Sequence, residues 1–497
     1  MIRTILSTTH IARHSIAHSN RSEGSLHAHI HRRPRITATI LVTIVASILT
    51  ASYAGGRAQA AGGSIPPPVS APPENGSAPV VPSLRLPGGQ LCCDNGNGWA
   101  PGEPSIAVGR AYIVETVNAS VTVYSKSSLL TPAYHAAFYD FFGGTSSTIG
   151  CVDPRVIYWS WDDRFALVCS DIESTPNVLR FAVSATGDPT RAWHKYEIAN
   201  SGFLDQPKLV ASQDKLVVAG NGGNNTTQFY VYQKSDVVDG RPNLRVTHLT
   251  SSQNLYQAVV EYTATDDASF VFSYDAGHNI SLATITGTPA RKNVAMEETI
   301  LGVSDVQYPL EPAIPGGTLG GGALDPRVNN AVYEVETSDR RPVIQYSQSA
   351  ECNPGGLGAT VCIATGRIDT SGSRPVLQYQ TLLGAAGSAY TYGAVTLDGY
   401  GRFYATYSRS SSTTMPSAAV LGGGSPMSTF DTIVQPATAG TVCGNTSPCD
   451  ERWGDYMGAA QDPTDHSKVW LAALYQAKSS EFGWGTIITR ASSAGIG

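Results

Sequence analysis

Asp153-Pro154-Arg155-Val156-Ile157-Tyr158 opens a block that runs on through residues 163–171 (DRFALVCSD) and 178–184 (VLRFAVS). An acid–proline turn leads into a short apolar strand. A polar turn and a strongly apolar strand follow, then an alternating third strand. The order recurs. An earlier copy reads Glu103-Pro104-Ser105-Ile106-Ala107-Val108, 111–118 (AYIVETVN) and 120–126 (SVTVYSK). The next has Asp205-Gln206-Pro207-Lys208-Leu209-Val210, 215–221 (KLVVAGN) and 228–234 (QFYVYQK). A fourth covers 257–262, 269–275 and 279–287. A fifth starts at Glu311-Pro312-Ala313, reuses the turn as Asp325-Pro326-Arg327 and continues at 331–336. The sixth begins near Tyr392 and takes in 402–408 (RFYATYS). The last opens on Arg452-Trp453-Gly454-Asp455-Tyr456 and continues through 468–475 (KVWLAALY) and 485–490 (GTIITR).

Short period-two strands, repeated as a block of roughly 50–60 residues, predict an all-β fold of the β-propeller class. A small antiparallel sheet cannot bury both faces alone, so stacking such sheets around an axis supplies the core and protects the edges. Seven copies predict seven four-stranded antiparallel blades, with six as the alternative because the fifth copy is irregular. A pair of β-sandwiches would carry similar strands without the recurrent opening turn.

Composition agrees. Of 497 residues only 14% are charged, against ~25% in ordinary soluble domains, and 50 Gly and 23 Tyr favour a β-rich extracellular protein. The first 60 residues hold seven Arg and one acid; without them 26 basic and 38 acidic residues remain, a net of −12. Nucleic acid needs a basic footprint and is excluded as a partner. Arg32, Arg33 and Arg35 precede an apolar run over 36–49 and then Ala58-Gln59-Ala60. A basic start, a short greasy stretch and an Ala-x-Ala site predict a secretory signal over 1–60. The run is shorter than the ~20 residues of a membrane span, so no span is expected after its removal. Residues 61–90, rich in Pro with Gly, Ser and Ala, read as an extended linker. The propeller is then expected over 91–497, secreted or otherwise extracytoplasmic, and monomeric.

All eight Cys follow the signal, as oxidising compartments favour. Cys352 and Cys362 bracket a Gly-rich loop, and Cys443 and Cys449 bracket Gly-Asn-Thr-Ser-Pro. Both pairs predict local bridges, and Cys151 with Cys169 would pin one hairpin. Adjacent Cys92 and Cys93 either join each other or exchange with another pair. Only five His remain after residue 60, and no C-x-x-C or H-E-x-x-H occurs, so no cofactor and no zinc site is expected. Asp94-Asn95-Gly96-Asn97-Gly98 offers oxygen ligands of the kind calcium takes, without the downstream bidentate Glu of a full calcium loop.

Residues 184–193 (SATGDPTRAW) resemble an Asp-box turn. With the Asp-Pro-Arg opening and the Arg-Trp-Gly-Asp-Tyr … Asp462-Pro463 ending, the chain resembles the secreted bacterial propellers of the sialidase-like (BNR) superfamily across roughly residues 93–497. The resemblance implies a propeller with a glycan-facing funnel. Sialidases of that superfamily use an arginine triad, a Tyr/Glu nucleophile pair and an Asp acid. This chain lacks their Arg-Ile-Pro opening and a clean run of Asp boxes.

In a propeller the opening turns of all inner strands ring one mouth. The repeat therefore gathers Glu103, Arg155, Lys208, Glu311, Arg452 and Asp455, with Tyr392 and Tyr456 close by. Arg can grip a carboxylate, and paired carboxyls can do acid and base work. Glu103, Arg155, Lys208, Tyr392 and Arg452 are the candidate ligand-binding residues, and Glu311, Asp455 and Tyr456 the candidate catalytic ones. Opening-turn acids also serve as acceptors for backbone N–H groups, and Asp455-Tyr456 would equally lock the last blade against the first. Arg402 and Arg409 flank the sixth inner strand, with Arg409 expected at a solvated end. The functional expectation is a glycan or surface-polymer binder at the axial funnel. The alternatives are a glycoside hydrolase or polysaccharide lyase acting on an acidic sugar, and a structural or protein-interaction propeller.

Overall fold

The computed structural model describes residues 101–496 except 175–176, 200–203, 223–224, 255, 275–278, 320–323, 325, 425–429, 438–452, 478–483 and 494, together with two short strands nearer the N-terminus. Those two are β1 (Val69–Ser70) and β2 (Leu84–Leu86). Arg452, Cys92, Cys93, Cys443, Cys449 and the Asp94–Gly98 turn lie outside the described residues.

From residue 105 the chain folds as successive antiparallel meanders. The first is β3 (Ser105–Val108), β4 (Tyr112–Val117), β5 (Ser120–Ser125) and β6 (Ser128–Ala137). The second is β7 (Cys151–Trp159), β8 (Arg164–Asp171), β9 (Val178–Ser184) and β10 (Trp193–Ala199). β11 (Asp205–Ala211), β12 (Lys215–Gly222), β13 (Thr226–Gln233) and β14 (Val246–Ser251) make the third. β15 (Gln257–Glu261), β16 (Ala268–Tyr274), β17 (Asn279–Thr286) and β18 (Ala295–Gly302) make the fourth. A small hairpin, β19 (Ala313–Ile314) and β20 (Gly317–Thr318), precedes the fifth. That sheet holds β21 (Val328–Val335), β22 (Pro342–Cys352), β23 (Thr360–Asp369) and β24 (Val376–Gly384). The sixth holds β25 (Ala389–Leu397), β26 (Phe403–Ser411), β27 (Thr414–Gly424) and β28 (Phe430–Gln435). The last has β29 (Gly458–Gln461), β30 (Lys468–Gln476) and β31 (Trp484–Ser492), with β32 (Gly495–Ile496) at its edge.

The first strands of these sheets pack in a cycle: β3 on β7, β7 on β11, β11 on β15, β15 on β21, β21 on β25, β25 on β29, and β29 back on β3. That cycle is a β-propeller. Its core is divided between neighbouring sheets, because alternate residues of a strand face opposite sides. Ala107 packs with Val156, Phe165 and Leu167 of the second sheet, whereas Ile106 and Val108 pack with Trp470, Ala472 and Ile488 of the last. Both faces are dry, so inner and second strands are continuously buried and apolar instead of alternating. The outer strands face water on one side and alternate, as β14 does.

The last sheet takes its outer strand from the far end of the chain: β2 pairs antiparallel with β31, Leu84 opposite Ile488. β1 runs parallel to β24. Both fall in the 61–90 stretch. Cys151–Cys169 joins β7 to β8, and Cys352–Cys362 joins β22 to β23. No helix among the described residues is long and apolar enough to cross a membrane. Residues 184–193 form the β9–β10 turn, where Asp188 accepts from Thr190 and Trp193 Nε1 donates to Pro189 O.

Candidate functional site

The acid–proline repeat encodes a bulge. The register slips between Val152 and Arg155, Asp205 and Lys208, and Thr391 and Ala394. Proline has no N–H to give a ladder and is tolerated at such a break. The residue before it takes a left-handed backbone: Glu103 has φ 51°, Asp153 51° and Gln206 43°. Each such non-glycine conformation costs about 1–3 kcal/mol and persists only where the surroundings enforce it. In the second and third sheets the residues on either side of the proline, Asp153 with Arg155 and Gln206 with Lys208, join one buried cluster.

Side chains of one sheet hold the bulge of the next. Ser105 Oγ accepts from Val156 N at 3.1 Å, and Asp153 Oδ2 accepts from Gln206 N at 3.3 Å. Asn330 Oδ1 accepts from Val395 N at 2.9 Å. Part of Asp153's role is therefore structural.

The carboxyl oxygens of Glu103, Asp153 and Asp455, from the first, second and last sheets, lie within 4.8 Å of one another, and all three residues are buried. Gln206 Nε2 donates to Asp455 Oδ2 at 3.1 Å, and Asn329 Nδ2 donates to its main-chain oxygen at 3.2 Å. The Arg155 guanidinium carbon stands 3.3 Å from the centroid of the Tyr456 ring. Burial lowers the pKa of Arg155, and Tyr456, Glu103, Asp153 and Asp455 oppose that shift. Arg155 thus interacts electrostatically with all three carboxyls.

Lys208 is 3% exposed and donates to Gln206 O at 2.6 Å. Burial, then repulsion from Arg155, brings its ammonium down to about 7. Asp205 is raised to about 6 by burial and by Asp153, to which it hydrogen-bonds. Tyr456 donates its hydroxyl to Pro154 O at 2.9 Å, and burial with the charge of Glu103 keeps that hydroxyl well above the usual phenol range. Tyr456 is a platform for Arg155 and a tie between the last and second sheets.

Arg155, Lys208 and Gln257 separate two spaces on the axis. A small pocket holds Gln206, Arg327, Asn329, Asp455 and Tyr456. A larger cavity of about 130 Å³ extends along the inner strands past Glu261 and Tyr262 to Gln461 and His466.

The structure brings Glu103, Arg155, Lys208, Asp455 and Tyr456 together. Glu311 it places elsewhere: exposed, before the β19–β20 hairpin, accepting from Thr318 Oγ1 at 2.8 Å. The fifth inner strand starts after Arg327 instead. Tyr392 has the same left-handed backbone, φ 57°, but its ring packs between the sixth and last sheets with Tyr404, Trp453 and Leu471. Arg409 is a correction: it lies on β26, the second strand of its sheet, and is 8% exposed. Sequence reasoning missed Asp153, Asp205, Gln206, Gln257 and Arg327. The signal was available in the acid of the acid–proline turn itself.

No family model and no curated protein sequence matches the chain. Among solved structures, it is similar to the Dos1 propeller at 8% identity and TM-score 0.38, over 78% of this chain and 92% of that one. An exo-β-1,3-galactanase from Phanerochaete chrysosporium gives 10% and 0.31, over 68% and 80%. A prolyl endopeptidase gives 10% and 0.39, over 80% and 48%. Assignment to the β-propeller class stands on the closed cycle of inner strands, to which likenesses of this size add nothing.

Proposed function

We propose that the chain is a secreted, carbohydrate-directed propeller that binds a saccharide at its axis and acts on a glycosidic bond at the hub. The observation that supports this is the trio of carboxyls from three sheets within 4.8 Å, beside Arg155 and Lys208. Carboxyl oxygens held that close support a retaining pair, whose carboxyl groups stand ~5–5.5 Å apart and in which one attacks and the other donates the proton, over an inverting pair at ~6.5–9.5 Å. Asp455, on the wall of the small hub pocket, and Glu103 beside it suit those two roles. Four hub carboxyls, Glu103, Asp153, Asp205 and Asp455, face three cations, Arg155, Lys208 and Arg327. The excess of acid favours a neutral saccharide over an acidic one. The Tyr456 face is covered by Arg155, so a purely aromatic binding platform has less support.

The test is reducing-end release from a panel of neutral and acidic polysaccharides by the full chain, with Glu103→Gln and Asp455→Asn as controls. Each variant should lose at least about 100-fold of the activity while its Tm stays near wild type, as expected for removal of an acid or base. Binding without release would leave only the binding half of the proposal. Neither binding nor release from any saccharide would overturn it.

A further inference from the structure

We infer a second ligand site, for an oxyanion group (carboxylate, sulfate or phosphate), in the groove between the fifth and sixth sheets beside Arg409. Period two puts Tyr407 and Arg409 of β26 on one face, and Tyr390 of β25 pairs opposite Arg409. The hydroxyls of Tyr390 and Tyr407 both donate to Asp431 of β28. Their rings stack with centroids 4.2 Å apart, and the guanidinium of Arg409 lies 5.6 Å from the Tyr390 centroid. Asp431 stands 3.9 Å from Arg409 Nη1, and Arg409 Nη2 donates to Ser388 Oγ at 3.4 Å. The guanidinium is held from below and from the side, as a pre-organised fork requires.

Over it lies a depression of about 420 Å³ lined by Ser388, Ser410, Ser411, Thr413 and Thr414, with Arg409 the one charged residue in its wall. A carboxylate-free wall of hydroxyls around a fixed guanidinium suits an anion: every group there can donate, and Arg can donate to two oxygens at once. Residues 386–388 precede β25 and 411–414 span the β26–β27 turn, so the depression opens at the same end of the sheets as the hub.

The site stands on different residues from the hub and does not depend on the reading of the hub. It is tested by titrating the full chain at fixed ionic strength with sulfate, phosphate and glucuronate, chloride as control, following heat of binding and Tm. One saturable site per chain is expected, weakened at least about tenfold in Arg409→Gln, the removal of a charge-assisted bond. Because Arg409→Gln also touches the Asp431 network, Ser411→Ala combined with Thr414→Val is the companion variant, leaving Arg409, Asp431 and both tyrosines in place. It should weaken binding while keeping the wild-type Tm. No saturable binding of any of these ions, or equal binding by wild type and both variants, would overturn the assignment. A sulfated or uronate-bearing oligosaccharide binding tenfold tighter than the free ions would identify a saccharide as the carrier. Equal affinities would identify the free ion.

Discussion

One backbone device serves two ends in the two halves of the wheel. Glu103, Asp153 and Gln206, on the first three sheets, and Tyr392, on the sixth, share the left-handed backbone at the opening of an inner strand. On the first three sheets that position sends polar groups to the axis, where they meet Asp455 and Arg155. On the sixth it sends an aromatic ring into the seam between two sheets. The bulge therefore sets direction only, and the side chain decides whether the position becomes chemistry or core.

The sharpest way to break that contrast is Arg155→Met. It leaves Glu103, Asp153 and Asp455 buried without their central counter-charge, and removing one partner of a buried charge set costs about 3–5 kcal/mol. Urea denaturation should show that loss; a change below about 1 kcal/mol would mean that the hub charges do not depend on one another. Tyr392→Ala should cost a similar or slightly smaller amount, about 3–4 kcal/mol, by opening a cavity. Unlike Arg155→Met, it should leave the pH dependence of stability untouched.

That dependence is the next effect in size, and its sign differs for the two titrating groups. An unfolded chain keeps the Lys208 proton to about 10.5, the folded one only to about 7. Between those values the unfolded state binds more protons, so stability rises with pH. Asp205 does the reverse: folded, it keeps its proton to about 6 against 3.8 unfolded, so stability falls as pH climbs through that window. Lys208→Met should flatten the upper slope and Asp205→Asn the lower one, read from urea midpoints at a series of pH values. A slope that survives its own variant would refute the assignment. Smallest of all, Tyr456→Phe removes one hydrogen bond, to Pro154 O, and should cost about 1 kcal/mol. It should leave any glycosidase activity within a few-fold, because the phenol's proton is committed to Pro154 O.

The sequence carried the wheel in its apolar strands. The first three strands of most copies were readable because burial on both faces makes them dense in Val, Ile, Leu and aromatics. The outer strands were not, since β14 and β18 look like solvated loops when half their residues face water. Five of the hub residues followed from repeat position alone. Asp153 and Gln206 did not, because a bulge brings two residues of one strand to the axis where a regular strand brings one. Glu311 misled for the converse reason: Glu-Pro before a two-residue hairpin has the same letters as Glu-Pro before an inner strand. Arg409 is distinguished from a solvated end only by Asp431, 22 positions downstream on another strand.

The pairing of β2 with β31 has a consequence for how the wheel is made. Its final sector draws on both halves of the polypeptide, so a chain emerging N-terminus first must hold six finished sectors ajar until nearly its last residues appear. A gene rearranged to begin between β28 and β29, with residue 61 joined after β32, would supply that sector as one continuous piece, and its refolding should no longer wait for the distant latch.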